Sequence, residues 1–143
     1  MNKMYLMIFL IFISTAICNQ NEVTTSKIYL PNSDICIKQL KAIGNANLIL
    51  VEKLSDGCNP NQMIIGQTQL GLAALKSMER SRRWDDLMGI PNPLIPVIKF
   101  LLSKGADPCK VNYQNKTAYE YYMYYVVWYP NQEIKELLDV CNN

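Results

Sequence analysis

A short phrase occurs twice in this chain of 143 residues. The sequence reads LSDGCNP at 54–60 and LSKGADP at 102–108, a shift of 48 residues from 54 to 102. Each copy places a glycine, Gly57 or Gly105, where a left-handed residue ends a helix, and then a proline that prevents its continuation. The repeat therefore predicts that similar helical units follow one another along the chain.

The residues before and after both copies of the phrase have the pattern of α-helices. Apolar residues before each copy recur at the spacing of a buried helix face. They are Leu48, Ile49, Val51 and Leu54 in the first unit, and Leu94, Val97, Ile98, Leu101 and Leu102 in the second. After each copy, Thr68 or Thr117 stands where its side-chain oxygen can cap the next helix. Ala73 and Ala74 are small enough for close helix packing.

At these residues the sequence resembles the ankyrin repeat. The segments that carry the resemblance are DICIKQLKAI (34–43), GQTQLGLAAL (66–75), VIKFLLSKGADP (97–108), NKTAYEYYM (115–123) and NQEIKELLDV (131–140). The resemblance implies an all-α, ankyrin-like solenoid of about three helix pairs with short connecting turns, covering residues 34–143. The middle repeat is expected to be enlarged, since the extra length falls between 78 and 94.

The sequence also departs from the family pattern. Gln69 replaces the usual proline, and Gly71 and Glu120 replace the usual histidine. The period of 48 residues exceeds the family value of about 33. In the family pattern, the histidine takes part in hydrogen bonds between neighbouring loops. Because it is replaced here, the sequence does not show which groups form such bonds in this chain.

The first 18 residues are predicted to be a secretory signal peptide, followed by an N-terminal linker at 19–33. A single Lys3 precedes an apolar run at 4–13, which is too short to cross a bilayer. Cleavage is expected after Ala16 or Cys18, and lipidation of Cys18 is a third reading. The expected location is the periplasm, with a lipoprotein anchored through Cys18, or a secreted protein, as alternatives.

Cleavage after Cys18 leaves four cysteines, an even number that suits an oxidising compartment. In an antiparallel helix pair, the first helix begins at the end where its partner finishes. The ankyrin-like fold therefore implies the disulfides Cys36–Cys58 and Cys109–Cys141. The sequence alone leaves the pairing of Cys58 with Cys109 open.

The composition excludes several kinds of site. The chain has no histidine, which rules out Ser-His-Asp and Cys-His nucleophiles and histidine-ligated zinc. Its glycines are scattered singly, unlike a phosphate-binding loop. The formal net charge of +2 gives no reason to expect a nucleic-acid partner. We therefore expect no catalytic residues, no cofactor and no metal. An enzyme would need a pair of carboxylates converging in a pocket.

The resemblance implies a partner-binding face formed by loop tips and first helices. The tip positions are Ile64, Ile65, Gln67, Tyr113, Gln114 and Lys116, and the helix positions are Leu75, Lys76, Tyr124 and Tyr125. Two adjacent isoleucines at a tip either expose an apolar patch or turn one side chain inward.

Two further segments are candidates for contact with a partner. In 119–129, seven of eleven residues are aromatic. Core packing accounts for three or four of these rings, and Tyr121 joins Tyr124 and Tyr125 as a candidate contact. Trp84, in the expected insertion, either anchors a partner or folds back over the widened repeat.

The resulting expectation is an exported protein-binding module. Small ankyrin-like proteins with a signal peptide are similar to bacterial periplasmic immunity proteins, which bind and occlude a toxin delivered by a neighbouring cell, as in type VI secretion. The partner is then a protein, and a membrane is involved only if Cys18 is lipidated. The alternative is a secreted effector that engages a host protein through the same face.

Overall fold

The computed structural model describes residues 34–81, 89–126 and 130–141, which contain six α-helices. They are α1 (Asp34–Gly44), α2 (Leu48–Leu54), α3 (Gln69–Ser81), α4 (Leu94–Ser103), α5 (Ala118–Tyr125) and α6 (Gln132–Leu138). Over these residues there is no strand beyond one isolated bridge, so the all-α prediction is confirmed. The predicted signal peptide, the linker and Trp84 lie outside the described residues.

The helices pack as consecutive pairs and in two rows. Within pairs, α1 packs on α2, α3 on α4, and α5 on α6. Between pairs, α1, α3 and α5 contact one another in succession and form the first row. The helices α2, α4 and α6 do the same and form the second row. Among the described helices, none has both the length and the apolar character needed to span a bilayer.

The core lies between the two rows and follows the apolar spacing of the sequence. In α4, four of the five positions predicted to be buried are so, with Leu94, Val97 and Ile98 at 0 % exposure, whereas Leu102 is half-buried. Helix α2 differs, because it is short and buries only one narrow face through Val51. Ile49 lies on its other side and is 79 % exposed, so the prediction that it is buried was wrong.

The predicted threonine caps are present at the starts of α3 and α5. The hydroxyl of Thr68 accepts a hydrogen bond from the backbone N–H of Gly71 at 3.0 Å. Thr117 forms a complete capping box with Glu120, in which each side chain accepts from the other residue's backbone N–H. These caps fix where both first-row helices begin, and so fix the loop tips that precede them.

The two glycines of the repeated phrase have different roles. Gly105 has a φ of +83° and ends α4, as predicted. The same prediction for Gly57 was wrong, because the chain continues from α2 into a 3-10 turn at Ser55–Gly57. A side chain at Gly57 would come within 2.8 Å of the Cγ2 atom of Ile35. Glycine is needed there for the close approach of α1.

Both expected disulfides are confirmed. Cys36 and Cys58 are bonded across 22 residues, with their Cα atoms 5.2 Å apart. Cys109 and Cys141 are bonded across 32 residues, with their Cα atoms 5.4 Å apart. The first bridge is fully buried beside Ile64, whereas Cys109 is exposed. The first bridge therefore also serves as part of a small hydrophobic core beneath the first loop tip.

Candidate functional site

The first loop tip is a tight hairpin between α2 and α3. Ile64 and Gln67 exchange two backbone hydrogen bonds of 2.9 and 3.1 Å. The two central residues, Ile65 and Gly66, have positive φ values of +53° and +76°. Two such residues are the requirement of a type I′ turn, in which asparagine or glycine is usual and a β-branched residue is strained. The tip thus holds an isoleucine in an unfavourable backbone conformation.

The hairpin separates the two adjacent isoleucines. Ile64 is at 0 % exposure and packs against the Cys36–Cys58 disulfide, so its side chain is not available to a partner. Ile65 points outward and is 80 % exposed. Of the two sequence readings, the one in which a side chain turns inward is confirmed.

The second loop tip, 112–116, is closed by one buried asparagine. The side-chain oxygen of Asn112 accepts hydrogen bonds from the backbone N–H groups of Gln114 and Lys116, at 2.9 and 3.1 Å. Asn112 also donates its own backbone N–H to the carbonyl of Lys116. This internal bracing holds Tyr113 and Gln114 outward, with Tyr113 64 % exposed.

The two tips are bonded to each other. The backbone N–H of Tyr113 donates to the carbonyl of Gly66 at 2.9 Å, and the Tyr113 ring lies against Gly66. A side chain at Gly66 would come within 3.0 Å of the ring. Behind the tips, the Gln67 amide accepts from Asn112 and donates to the Tyr121 hydroxyl, each at 3.4 Å. The tips therefore form one braced surface.

Helix α5 continues this surface with tyrosines. The rings of Tyr121 and Tyr125 meet edge to face at 5.0 Å, as do those of Tyr124 and Tyr125 at 4.9 Å. The Lys116 ammonium lies 4.9 Å from the centre of the Tyr124 ring, within cation–π range. Tyr124 is 66 % exposed, whereas Tyr121 is buried. Burial is the main reason why the pKa of Tyr121 is raised, and nearby Tyr125 adds to the effect.

We call this set the tip–tyrosine surface. It consists of the exposed residues Ile65, Tyr113, Gln114 and Tyr124, together with the half-buried Lys116 and Tyr125. The other candidates of the sequence analysis that the structure describes are placed differently. Ile64 and Tyr121 are buried, Gln67 braces the tips, Leu75 packs on the core, and Lys76 pairs with Glu79 at 2.7 Å.

One important residue, Asn61, was missed by the sequence analysis. Its side-chain amide donates to the carbonyl of Gly105 at 2.8 Å, and its oxygen accepts from the N–H of Asp107 at 2.6 Å. Asn61 thereby ties the two copies of the repeated phrase together. The available signal was an asparagine directly after the turn proline Pro60, a type that often bonds to nearby backbone. Amide side chains thus form the hydrogen bonds between loops. These groups were not identified from the sequence, because the usual histidines are replaced in this chain.

A second concave region lies between the start of α4 and the start of α6. It is an open cleft of about 370 Å³ lined by Gly89, Ile90, Pro91, Asn92, Ile95, Pro130, Asn131 and Glu133. Its polar groups already serve the fold. Asn92 bonds to Ser77 and Leu94, and Glu133 pairs with Lys99 at 2.6 Å. Among the residues of the cleft that the structure describes, Glu133 is the single carboxylate, so they offer no converging pair.

No group of three or more acidic, cysteine or histidine side chains suited to a metal occurs in 34–81, 89–126 or 130–141. The tip–tyrosine surface presents aromatic rings, an isoleucine, an amide and one ammonium group. Such a set can bury area and form hydrogen bonds, but it contains no acid–base pair. Its chemistry is that of recognition.

The capping box beneath this surface predicts a pH effect. The Thr117 backbone N–H donates to the Glu120 carboxylate at 2.8 Å. This bond, together with the Thr117 hydroxyl and Lys116, holds the pKa of Glu120 below its usual value. A carboxyl group whose pKa is lower in the folded protein than in the unfolded chain stabilises the fold at pH values above its unfolded pKa. This stabilisation is lost as the pH falls through its folded pKa.

We expect Glu120→Gln to cost about 0.5 kcal/mol at neutral pH, the usual strength of an exposed carboxylate at a helix start. The cost should shrink as the pH falls into the acidic range in which Glu120 becomes protonated, because its pKa is lowered in the folded protein. Urea unfolding across this pH range measures the difference, with Glu136→Gln, an exposed position late in α6, as the control. A cost that is the same at every pH would contradict the role of the charge.

No family model matches this chain, and neither curated proteins nor solved structures match it.

Proposed function

We propose that this chain is an exported, ankyrin-like protein-binding module that acts as an immunity protein, binding and occluding a cognate toxin. The observation that carries the proposal is the tip–tyrosine surface, in which exposed apolar and aromatic side chains stand on internally braced loops. Ile65 is 80 %, Tyr113 64 % and Tyr124 66 % exposed, although a soluble monomer gains nothing from exposing them together.

The packing of the helices supports the ankyrin-like part of the proposal. Three helix pairs follow one another, and their first and second helices contact their counterparts in two separate rows. The loop tips at 64–67 and 112–116 both directly precede first-row helices. In repeat stacks, such tips and first helices form an extended binding surface.

The bracing of the tips supports tight binding without chemistry. A surface that is already ordered loses little conformational entropy when a partner binds. Here the backbone bond from Tyr113 to Gly66 and the side chains of Asn112 and Gln67 provide that order. Tyrosine is enriched among the residues that dominate binding energy. The proposed mechanism is a stoichiometric complex that covers the toxin's active site.

Export rests on the predicted signal peptide and on the disulfides. Two disulfides within a small domain are compatible with an exported protein in an oxidising compartment. We propose the periplasm as the location, where an immunity protein meets a toxin that arrives from a neighbouring cell.

The test is a pull-down with oxidised protein comprising residues 19–143 against a lysate of the producing cell, read by mass spectrometry. We expect one stoichiometric partner, whose affinity falls about tenfold (~1.4 kcal/mol) in Tyr124→Ala. Ile49→Ala is the matched control, because Ile49 is 79 % exposed but lies on α2 in the second row. It should leave the affinity unchanged.

Two results would contradict the proposal. Equal loss of the partner in both variants would mean that the tip–tyrosine surface is not the site of contact. A partner found only in extract from a host organism, and bound through Tyr124, would favour the secreted effector. An inhibition assay with the recovered partner then separates occlusion of an active site from simple association.

A further inference from the structure

The two rows of helices differ in charge. The first row with its loop tips, at 34–44, 64–81 and 112–125, carries five basic and three acidic residues. The second row with its adjoining turns, at 48–57, 94–107 and 132–139, carries four basic and six acidic residues. Because the whole chain is nearly neutral, this difference is a separation of charge between two faces.

Two of the three acidic groups of the first row form polar contacts within the protein, and the third lies at a helix start. Glu79 pairs with Lys76 at 2.7 Å, and Glu120 accepts the Thr117 backbone N–H in the capping box. Asp34 lies in the first turn of α1, where a helix favours negative charge. Glu79 and Glu120 are therefore bonded within the protein, and Asp34 forms no ion pair with a lysine of this face among the described residues.

Three lysines of the first row have no such partner among the described residues. Lys38 and Lys41 are exposed on α1, and no described carboxylate lies within ion-pair distance of either. Lys116 likewise forms no ion pair with a described carboxylate; its charge acts on Glu120 at longer range, and its ammonium lies over the Tyr124 ring. An ammonium placed over a ring is held at a defined position but keeps its capacity to bind a carboxylate.

We propose that the tip–tyrosine surface binds an acidic segment of a protein, an inference that rests on the proposed function and specifies the partner's chemistry. A partner carboxylate pairs with Lys116 and accepts hydrogen bonds from the exposed hydroxyls of Tyr113 and Tyr124. An apolar side chain beside it packs on Ile65. The positive charge of Lys38 and Lys41, further along the row, attracts the acidic partner before contact.

The mixture of groups favours a polypeptide. One ordered ammonium among aromatic rings, with an isoleucine at the edge, suits a segment that alternates carboxylates with apolar side chains. A nucleic acid requires a stripe of many basic residues, and the tip–tyrosine surface contains one lysine.

The experiment is a selection of random peptides displayed on phage against the immobilised, oxidised protein. We expect the selected pool to be richer in Asp and Glu than the starting library. Synthetic peptides from that pool should bind Lys116→Glu about tenfold more weakly at low ionic strength, and the difference should narrow as salt is added. Binding is measured by fluorescence polarisation with labelled peptide.

The control is Lys104→Glu. Lys104 is exposed, whereas Lys116 is half-buried, and its ammonium also lies near a ring, 5.5 Å from the centre of Phe100, but it follows α4 in the second row. The charge change is therefore the same in both variants. Peptide binding should be unchanged in Lys104→Glu.

Several outcomes overturn the inference: no peptide selected, a pool without enrichment in acidic residues, or equal effects of the two lysine variants. Heparin serves as the anionic polysaccharide probe. Binding of heparin that depends on Lys116, without selection of acidic peptides, would assign the surface to a polysaccharide. If Tyr124→Ala loses the cellular partner but Lys116→Glu binds it as tightly as the parent protein does, the proposal that the bound segment is acidic is wrong. The proposed protein-binding function then still stands.

Discussion

Replacement of Ile65 by asparagine should stabilise the protein and weaken partner binding in the same variant. Ile65 has a φ of +53°, a conformation that costs a β-branched residue about 1 kcal/mol. Asparagine followed by glycine is the preferred pair for a type I′ turn, so Ile65→Asn relieves this strain next to Gly66. The free energy of unfolding should therefore rise by about 1 kcal/mol.

The effect on binding should have the opposite sign. The Ile65 side chain is 80 % exposed, and its burial by a partner is worth about 2 kcal/mol, or about thirtyfold in affinity. The two effects are measured by urea unfolding of the free protein and by titration of the partner recovered in the pull-down. A strained, exposed isoleucine that serves binding gives this combination, whereas a purely structural isoleucine does not.

The matched control is Ile49→Asn, because Ile49 has almost the same exposure, 79 %, but lies in an ordinary helix of the second row. It should lower stability slightly through the poorer helix propensity of asparagine and leave the partner affinity unchanged. The interpretation of Ile65 fails if its variant is less stable than the parent protein, or if it binds the partner equally well.

Removal of the Cys36–Cys58 disulfide should be more damaging than removal of Cys109–Cys141. The chain-entropy model assigns about 3.5 kcal/mol to each bridge and slightly favours the longer loop of 32 residues over that of 22. Packing reverses this order. Cys36 and Cys58 are 0 % and 1 % exposed and contact Ile64, so the paired substitution to alanine also leaves a small cavity.

We therefore expect a loss of about 4–5 kcal/mol for Cys36→Ala with Cys58→Ala, and about 3 kcal/mol for the other pair. Urea unfolding of the two double variants, and of the parent protein, gives the comparison. A larger loss in the pair without Cys109 and Cys141 would show that loop length outweighs burial here. Partner affinity should also fall in the first variant, since Ile64 anchors the tip that carries Ile65.

Features set by local rules were predictable from the sequence. The capping box at Thr117, the left-handed Gly105 and the apolar face of α4 each depend on residues within a few positions of one another. The disulfide pairing was also correct, but it was implied by the ankyrin-like fold, since the sequence alone left the pairing of Cys58 with Cys109 open. Local propensity was sufficient for the capping box, Gly105 and the face of α4.

Features that depend on tertiary contacts, between segments distant in the sequence, were not predictable. The spacing of α2 could not show that Val51 is buried in the core and that Ile49 faces away from it. Gly57 has the same local sequence context as Gly105, yet its role is set by Ile35 on another helix. Likewise, the burial of Tyr121 and the exposure of Tyr124 depend on the tip that packs beside α5. For the candidate site, the sequence therefore named the outward-facing residues but did not separate them from the buried Ile64 and Tyr121.

The bridge made by Asn61 has a consequence for how opening of the molecule can be observed. The N–H of Asp107 donates to a side chain 46 residues earlier in the chain, and not to its own turn. Neither half of the molecule can protect that hydrogen by itself. Its exchange with solvent deuterium therefore reports separation of the two repeated units, even while the helices within each unit remain intact. A single backbone amide thus serves as a native indicator of whether the stack is closed.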